Sequence, residues 1–402
     1  MVPEAEDLII RVAGRGEGVT ADGRHAALAA PGDWLTADGA VVPGPHHQAA
    51  PCAHYPRCGG CQLQHLDDAS YGQFIVDRIV GALAAQGLST DIRPPIISPP
   101  RSRRRAAFHA ERKGGQIILG FSQSGSHDLV DLRECWILDP VLFALLKPLR
   151  VLLGRLMTAK RRVEIQMTVI DQGVDMLITG IAAEGLEAAE AISAFGAKFG
   201  IARLSIDNGL GPETRWEPVG ATITLGGVEV PFPTGSFLQA TPEGEAALVA
   251  AVREAIGPAT AVADLFAGLG TFALAVASPA KLYAAEAGRD AVFALKMAAG
   301  LKQLPVFADH RDLYRRPLTA AELDRFDAVI LDPPRAGAKE QADGLAASKS
   351  PILAYVSCNP STFGCDAKTI CEGGYALDWI QPVGQFRWST HIELAAKFSR
   401  SR

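Results

Sequence analysis

The 402-residue chain has no apolar run approaching the roughly 20 residues that a membrane-spanning helix needs. Its opening stretch, Met1 to Ile10, is acidic and lacks a signal-peptide profile. Together these absences lead to the expectation of a cytoplasmic protein with no membrane partner. There is no surplus of positive charge either: the formal net charge is −5, so the chain as a whole does not attract nucleic acid. An enzyme that acts on a single nucleotide needs only a local basic track. The candidates are Arg101, Arg103, Arg104 and Arg105, then Lys160, Arg161 and Arg162, although runs of this kind are usually solvated faces. Cysteine is sparse and odd in number, at seven. That count excludes a disulfide framework and points to a metal site or a nucleophile. What the chain has in quantity is hydrophobic residue, 48%, against 21% charged, the balance of a globular protein with a sizeable core.

The length suggests two or three domains. Residues 1–45 carry short apolar stretches punctuated by Gly14, Gly16, Gly18, Gly23, Gly32 and Gly39, the pattern of a small β module. A proline-bearing linker, 43–51, leads to Cys52, Cys58 and Cys61. Tyr71, Phe74, Ile75, Arg78, Ile79 and Leu83 then recur at helical spacing. Residues 46–233 read as a central α+β domain, with a helix from Glu184 to Phe199 among alternating stretches. Residues 234–402 change texture. Thr241-Pro242 marks a helix start, and apolar strands at 261–265, 282–285, 328–331 and 352–356 alternate with helical segments. That alternation predicts an α/β domain, a parallel sheet covered on both faces.

Chemistry gathers at the strand ends of this last domain. Asp264-Leu265-Phe266-Ala267-Gly268-Leu269-Gly270-Thr271 leaves a strand and enters a helix, and Gly268 and Gly270 let backbone approach a ligand closely. Glu286 ends the next strand, where an acid can take both ribose hydroxyls. The loop also fits a loose dinucleotide pattern, so an NAD reading stays open on this evidence. Asp264 at the strand end and Asp332-Pro333-Pro334-Arg335 after a later strand favour a methyl donor instead, since open sheets bind ligands at their carboxyl ends. Cys358 leaves the following strand in Ser357-Cys358-Asn359-Pro360. Free cysteines are more often core residues than catalysts, but this one enters a polar turn on the same sheet edge. A thiolate has a use there. Carbon 5 of uracil is a poor nucleophile. Addition of a thiolate to carbon 6 makes an enolate whose carbon 5 can attack a sulfonium methyl, after which a general base must remove the carbon-5 proton.

These residues resemble the RNA uridine-5 methyltransferases, and the resemblance runs from the first cysteine cluster to Glu393. It is carried by Cys52-x5-Cys58-Gly-Gly-Cys61-Gln-Leu-Gln-His65, Ser236-Phe237-Leu238-Gln239, the glycine loop, Asp332-Pro-Pro-Arg-Ala-Gly337, Ser357-Cys358-Asn359-Pro360 and Thr390-His391-Ile392-Glu393. It implies a C-terminal Rossmann-like class I methyltransferase sheet, with Cys358 as nucleophile and Glu393 as base. It implies S-adenosylmethionine held against Gln239, Phe266, Thr271, Glu286, Asp309 and Asp332. Thr271 stands where an Asn is expected. Phe386-Arg387-Trp388-Ser389 stands where a proline and smaller residues are expected. Three close cysteines plus Cys135, 74 positions after Cys61, suit a [4Fe-4S] cluster better than zinc, whose four-cysteine sites come as two close pairs. That pattern resembles the ribosomal-RNA branch rather than the transfer-RNA branch, so 23S ribosomal RNA is the expected partner of a monomeric enzyme. The first module resembles a shortened TRAM domain.

Rival readings remain distinct. An RNA cytosine-5 methyltransferase carries a cysteine where this chain has Arg335, and an amino-directed enzyme needs an aromatic there and no thiol. A non-catalytic RNA-binding protein of the same fold would not need Cys358, Glu393 and Asp332 together. A dehydrogenase leaves the cysteine cluster unexplained.

Overall fold

A computed structural model describes residues 7–157 and 162–400. Lys160 and Arg161 of the second basic run, and the first six residues of the acidic opening, lie outside the described residues.

The C-terminal half is built on a nine-stranded sheet. In spatial order its strands are Val306–His310, Lys281–Glu286, Ala261–Leu265, Ala328–Leu331, Ile352–Ser357, Glu393–Ser399 and Ala376–Gly384, with the short strands Asp91–Ile92 and Ile96–Ile97 both on the last of these. The first five are parallel, and Glu393–Ser399 runs antiparallel to both its neighbours. Ala328–Leu331 is buried at all four positions, as expected of a strand with helices on both faces. The chain leaves Ala261–Leu265 toward one edge and returns on its other side at Ala328–Leu331. This reversal opens a crevice at the carboxyl ends of the two strands. These features make it a class I methyltransferase sheet. The helix Pro242–Ile256 covers one face, and its start is fixed by Thr241, whose hydroxyl accepts the Gly244 N–H, with Pro242 at the first helical position.

The middle of the chain forms a second sheet of seven strands, from Leu129–Asp131 through Arg105–Lys113 to Pro212–Trp216. It is antiparallel except where Gly173–Thr179 and Ile201–Asp207 lie parallel, joined by the helix Leu186–Phe199. That helix and Pro140–Leu156 pack on one face over Ile165, Met167, Met176 and Ile178, which alternate inward along their strands. A three-stranded sheet, Ile9–Val12, Gly18–Thr20 and His25–Ala26, and a two-stranded one, Trp34–Leu35 with Val41–Val42, make up the N-terminal module.

Sequence order and spatial order part company between residues 60 and 97. The helix Asp68–Ala84, capped by Asp67, buries Tyr71, Phe74, Ile75, Ile79 and Leu83. These share a core with Phe363, Ile370 and Phe398 of the C-terminal sheet and its helix, and with Val12 and Ala30 of the N-terminal module. One hydrophobic core therefore ties the first module and the segment after the cysteines to the catalytic sheet. Among the described residues no helix is long and apolar enough to cross a membrane.

Candidate active site

Asp264, the penultimate residue of the strand Ala261–Leu265, is fully buried. Its Oδ2 accepts the Ala273 N–H at 2.8 Å while Oδ1 has no partner. Burial, with the fields of Asp332 and Glu286, pushes this carboxyl up to about 8. The loop beyond it turns through left-handed backbone at Phe266, Gly268 and Gly270, with φ of 64°, 55° and 93°. For Phe266 that region is unfavourable, and such strain persists where the surroundings enforce it. The Phe266 ring lies 5.4 Å from that of Tyr314, whose hydroxyl donates to the Gly337 carbonyl.

Glu286 clamps the same loop from the next strand. Its Oε2 accepts the Gly268 N–H at 3.0 Å and its Oε1 the Gly288 N–H at 2.7 Å. Thr271 opens the helix that follows the loop. Asp309 lies one strand further, accepting from the Tyr283 hydroxyl at 2.7 Å. Asp332 stands across the crevice, its N–H donating to the Leu265 carbonyl at 3.2 Å. Part of its surface is open, yet the protein packs densely around it. Burial first, then the field of Glu393, pushes its carboxyl well above the usual range. Asp264, Glu286 and Asp332 thus form an acidic crevice around one unpaired oxygen, Asp264 Oδ1. The chemistry suits a cationic ligand with hydroxyls, the character of S-adenosylmethionine.

Cys358 and Glu393 are brought together by strand register. Ile352 pairs with Ser399 and so on to Ser357 with Leu394. One residue beyond that pairing, Cys358 lies just past the end of its strand and within the field of Glu393, the first residue of the neighbouring strand. The thiol is half-buried. Burial, then Glu393 and Asp332, push it up to about 11, against the pull of Arg335. Glu393 is buried, which raises its carboxyl to about 7, and a hydrogen bond from Gln385 opposes the rise. Gln385 also donates to Gln239 Oε1 at 2.7 Å and accepts the Ala240 N–H at 2.8 Å. Gln239 is thereby linked through Gln385 to Glu393. His391 precedes the strand and does not share a strand face with Glu393. Its side chain is exposed, and partial desolvation, then Arg335 and Arg103, lower its pKa. Cys365 and Cys371 lie on the helix Pro360–Glu372, where Cys365 accepts a hydrogen bond from Gln86 and Cys371 packs on the core.

Sequence reasoning missed Gln385, Tyr314 and Asp366. Asp366 Oδ2 accepts from the Tyr355 hydroxyl at 2.6 Å and the Ala338 N–H at 2.8 Å, tying the Asp332 loop to the strand before Cys358. None of the three sits in a local pattern that signals chemistry. Each acquires its role through partners outside its own local pattern, as far as 146 positions away for Gln385 and Gln239.

Next to Glu393's approach loop lies an open cleft of about 560 Å³, lined by Gln62, Arg103, His109, Ser124, Phe386 and His391. The expected basic track is only partly available to it. Arg104 is buried and paired with Glu245 at 2.6 Å, Arg105 lies over Phe237, and Arg101 over Trp136. Arg162 donates to the His127 carbonyl and the Ser122 hydroxyl.

Behind the cleft, Cys52, Cys58, Cys61 and Cys135 line one small cavity with Tyr55, Phe121 and Trp136. All four thiols are free. Burial pushes Cys61 up to about 12 and Cys135 to about 11, and raises Cys52 and Cys58 as well. Among the described residues no three His, Cys, Asp or Glu side chains are disposed to hold a single metal ion.

No family model matches the chain. Among curated proteins, an uncharacterised RNA methyltransferase of Zymomonas mobilis is 49% identical over 98% of this chain and 99% of its own. One of Caulobacter vibrioides is 42% identical over 98% and 100%. A 23S rRNA uracil-C5 methyltransferase of Shewanella piezotolerans is 29% identical over 86% of this chain and 81% of its own. Among solved structures, the Pyrococcus abyssi tRNA (uracil-54, C5)-methyltransferase in complex with S-adenosyl-L-homocysteine shares the fold, with a TM-score of 0.73 over 97% of this chain and 99% of that one at 20% identity. With such relatives aligned over nearly its whole length, the chain belongs to the RNA methyltransferases.

Proposed function

We propose that this enzyme methylates carbon 5 of a uridine in RNA, with 23S ribosomal RNA its substrate. Cys358 is the nucleophile and Glu393 the base. The observation that carries the reading is the strand register that brings the Cys358 thiol within the field of a buried carboxyl, beside an acidic crevice. S-adenosylmethionine supplies an electrophilic methyl on a positively charged sulfur. Asp332, Glu286, Phe266, Thr271, Asp309 and Gln239 are the residues assigned to hold it. Phe266 has an aromatic face, Glu286 a carboxylate for ribose hydroxyls, and Asp332 a charge for the cation.

In this reading the Cys358 thiolate forms a bond to carbon 6, and the ring electrons move onto oxygen 4. Carbon 5 takes the methyl group as the donor's sulfur–methyl bond breaks, its electron pair staying on sulfur to leave a neutral thioether. Glu393 then removes the carbon-5 proton. The electron pair of that C–H bond restores the carbon 5–carbon 6 double bond, and the carbon–sulfur bond breaks to return the thiolate. A carboxyl raised to about 7 suits this task, since a base works best with a pKa near the working pH.

The reading includes a four-iron cluster on Cys52, Cys58, Cys61 and Cys135. What supports it is the donor set: four thiols around one cavity with apolar walls. In a cubane each thiolate binds a different iron, so the sulfurs need not converge on one point as zinc requires. That fits the lack of a single-ion arrangement among the described residues. The cluster's role here is to hold the cysteine loop, and the N-terminal module is read as a TRAM-like RNA contact.

The test is covalent trapping. RNA bearing 5-fluorouridine at the target, incubated with the enzyme and S-adenosylmethionine, should give an adduct stable in denaturing electrophoresis, because fluorine cannot leave as a cation. Unmodified 23S RNA should gain 5-methyluridine at one position. Methylated cytidine, or turnover without an adduct, would overturn the reading.

A further inference from the structure

Trp388 lies in the segment Phe386-Arg387-Trp388-Ser389, which departs from the expected family pattern, and its surroundings are unusual for a loop residue. Its backbone is left-handed, with φ of 59°, a region that bulky side chains avoid. Its indole is 3% exposed, and the buried Nε1–H has no partner. Both features are unfavourable, and such a conformation persists only when neighbours enforce it. The neighbours are identifiable. The indole is inserted into the core of the central domain, in the cluster that contains Cys58 and Cys61. Its carbonyl accepts two backbone N–H groups, from Gln62 at 2.8 Å and Leu63 at 2.9 Å, the residues directly after Cys61.

The rest of the turn is clamped in the same way. The Tyr71 hydroxyl donates to the Phe386 carbonyl at 3.0 Å. Arg387 forms an ion pair with Asp68 and donates to the Ser98 carbonyl at 3.2 Å. The Ser389 N–H closes the turn on Phe386 at 2.9 Å, and the His391 N–H donates to the Ser389 hydroxyl at 3.2 Å. The external hydrogen-bond and ion-pair partners of residues 386–389 come from residues 62–98, before the seven-stranded sheet begins, while Arg103 lies over the Phe386 ring at 5.4 Å. The turn is bracketed by Gln385, which hydrogen-bonds Glu393, and by Glu393 itself.

We propose that Trp388 is a positioning residue for Glu393: it pins the turn before the base strand into the cysteine-bearing core, so that the packing around Cys58 and Cys61 sets where the carboxylate points. The proposal rests on the reading of Glu393 as the base. The step it governs is the last one, in which the carbon-5 proton passes to Glu393, the double bond re-forms and the sulfur leaves. Formation of the adduct uses Cys358, on another strand and a different loop. A displaced turn should therefore slow release and spare addition.

The experiment follows the covalent RNA adduct by denaturing electrophoresis in single-turnover reactions with unmodified RNA and S-adenosylmethionine. Trp388→Ala should form adduct at the normal rate and release it about 100-fold more slowly, the scale of an ångström-sized misplacement. Trp388→Phe, which keeps a ring in the core, should recover most of that loss. Amide exchange at Gln62 and Leu63 should quicken in Trp388→Ala, because their shared acceptor has moved. Equal slowing of formation and release would mean a merely structural role and overturn the proposal, as would normal release. Normal release in the control Glu393→Gln would overturn the base assignment and this proposal with it, whereas normal release in Trp388→Ala alone would overturn only this one. Should Trp388→Ala fail to fold, Tyr71→Phe, which loses one hydroxyl from the same clamp, must slow release selectively. Unchanged release there overturns the proposal equally.

Discussion

Two places in this molecule turn cysteine toward a cavity or crevice, and their surroundings differ in kind. The cavity behind the cleft brings four thiols together among Tyr55, Phe121, Trp136, Leu132 and Ile137. The crevice of the C-terminal sheet holds one, Cys358, within the fields of Glu393 and Asp332. Burial raises the thiols in both. A raised thiol pKa therefore does not separate a ligand from a nucleophile; the company does. Thiols that gather around an apolar cavity have little to react with and suit a metal cluster that deprotonates them. A single thiol near a carboxyl, open to a crevice where strands end, has a proton acceptor and room for a substrate.

The comparison breaks outright if Cys358 proves dispensable. Cys358→Ala should lose the RNA adduct and methyl transfer together, by up to about 10⁶-fold, the scale of removing a covalent nucleophile. Cys365→Ala, on the outer face of its helix, should leave both rates normal. The reverse pattern would move the nucleophile to Cys365. Substitution in the other region should have a different signature. Cys135→Ser should remove visible absorption and iron from anaerobically purified protein and lower the yield of folded chain, because metal binding there is folding free energy. Stoichiometric zinc without iron in the unsubstituted protein would defeat the cluster. Full folding of Cys135→Ser with a normal melting temperature would defeat its structural role.

A smaller effect tests the carboxylates that distinguish the catalytic region. Glu286→Ala removes the acceptor of the Gly268 and Gly288 N–H groups and the proposed partner of the ribose. It should weaken S-adenosylmethionine by roughly 1.5–3 kcal/mol, measured by calorimetry, the scale of hydrogen bonds to a charged group. RNA affinity should stay the same. An unchanged affinity for the donor would remove Glu286 from the site.

Much of the C-terminal half was legible because its signals are local. Strands at 261–265 and 328–331 are short apolar runs with the observed bounds, and Thr241-Pro242 opens a helix as a capping hydroxyl and a proline at the first position should. The strand Val306–His310 was missed because only Ala308 in it is buried, as befits the sheet edge. The segment 68–97 was read with the central domain because it follows the cysteines in sequence. Its helix packs on Phe363 and Phe398 instead, a long-range choice that no local periodicity encodes. In the site the same division holds. Cys358, Asp332 and Glu286 announce themselves at strand ends. Glu393 was chosen only through family resemblance, since its meaning lies in a register with a strand 40 residues earlier. Gln385 gave no signal at all, and Trp388 registered only as a departure from an expected pattern.

The finest test uses pH to separate the thiol from its neighbouring carboxyl. The base must be ionised to take a proton. With Glu393 raised to about 7, the carboxylate fraction grows about tenfold per pH unit below 7 and levels off above it. Release of the adduct should follow that curve in single-turnover measurements. Addition needs thiolate, and Cys358 is held up to about 11, so its rate should keep rising about tenfold per unit well past the point where release is flat. The two steps then diverge. Below pH 7 the steady-state fraction of covalent enzyme stays constant, and above pH 7 it climbs. The same carboxyl has a cost in stability whose sign is opposite to that of a paired acid. The folded protein holds the Glu393 proton to about 7 while the unfolded chain releases it near the ordinary 4.5, so stability falls as pH rises through that window. Glu393→Gln should flatten this part of the stability curve and trap the adduct at every pH. If Glu393→Gln removes the slope in stability but leaves release pH-dependent with a midpoint near 7, the buried carboxyl is real and another group, His391 first, is the base.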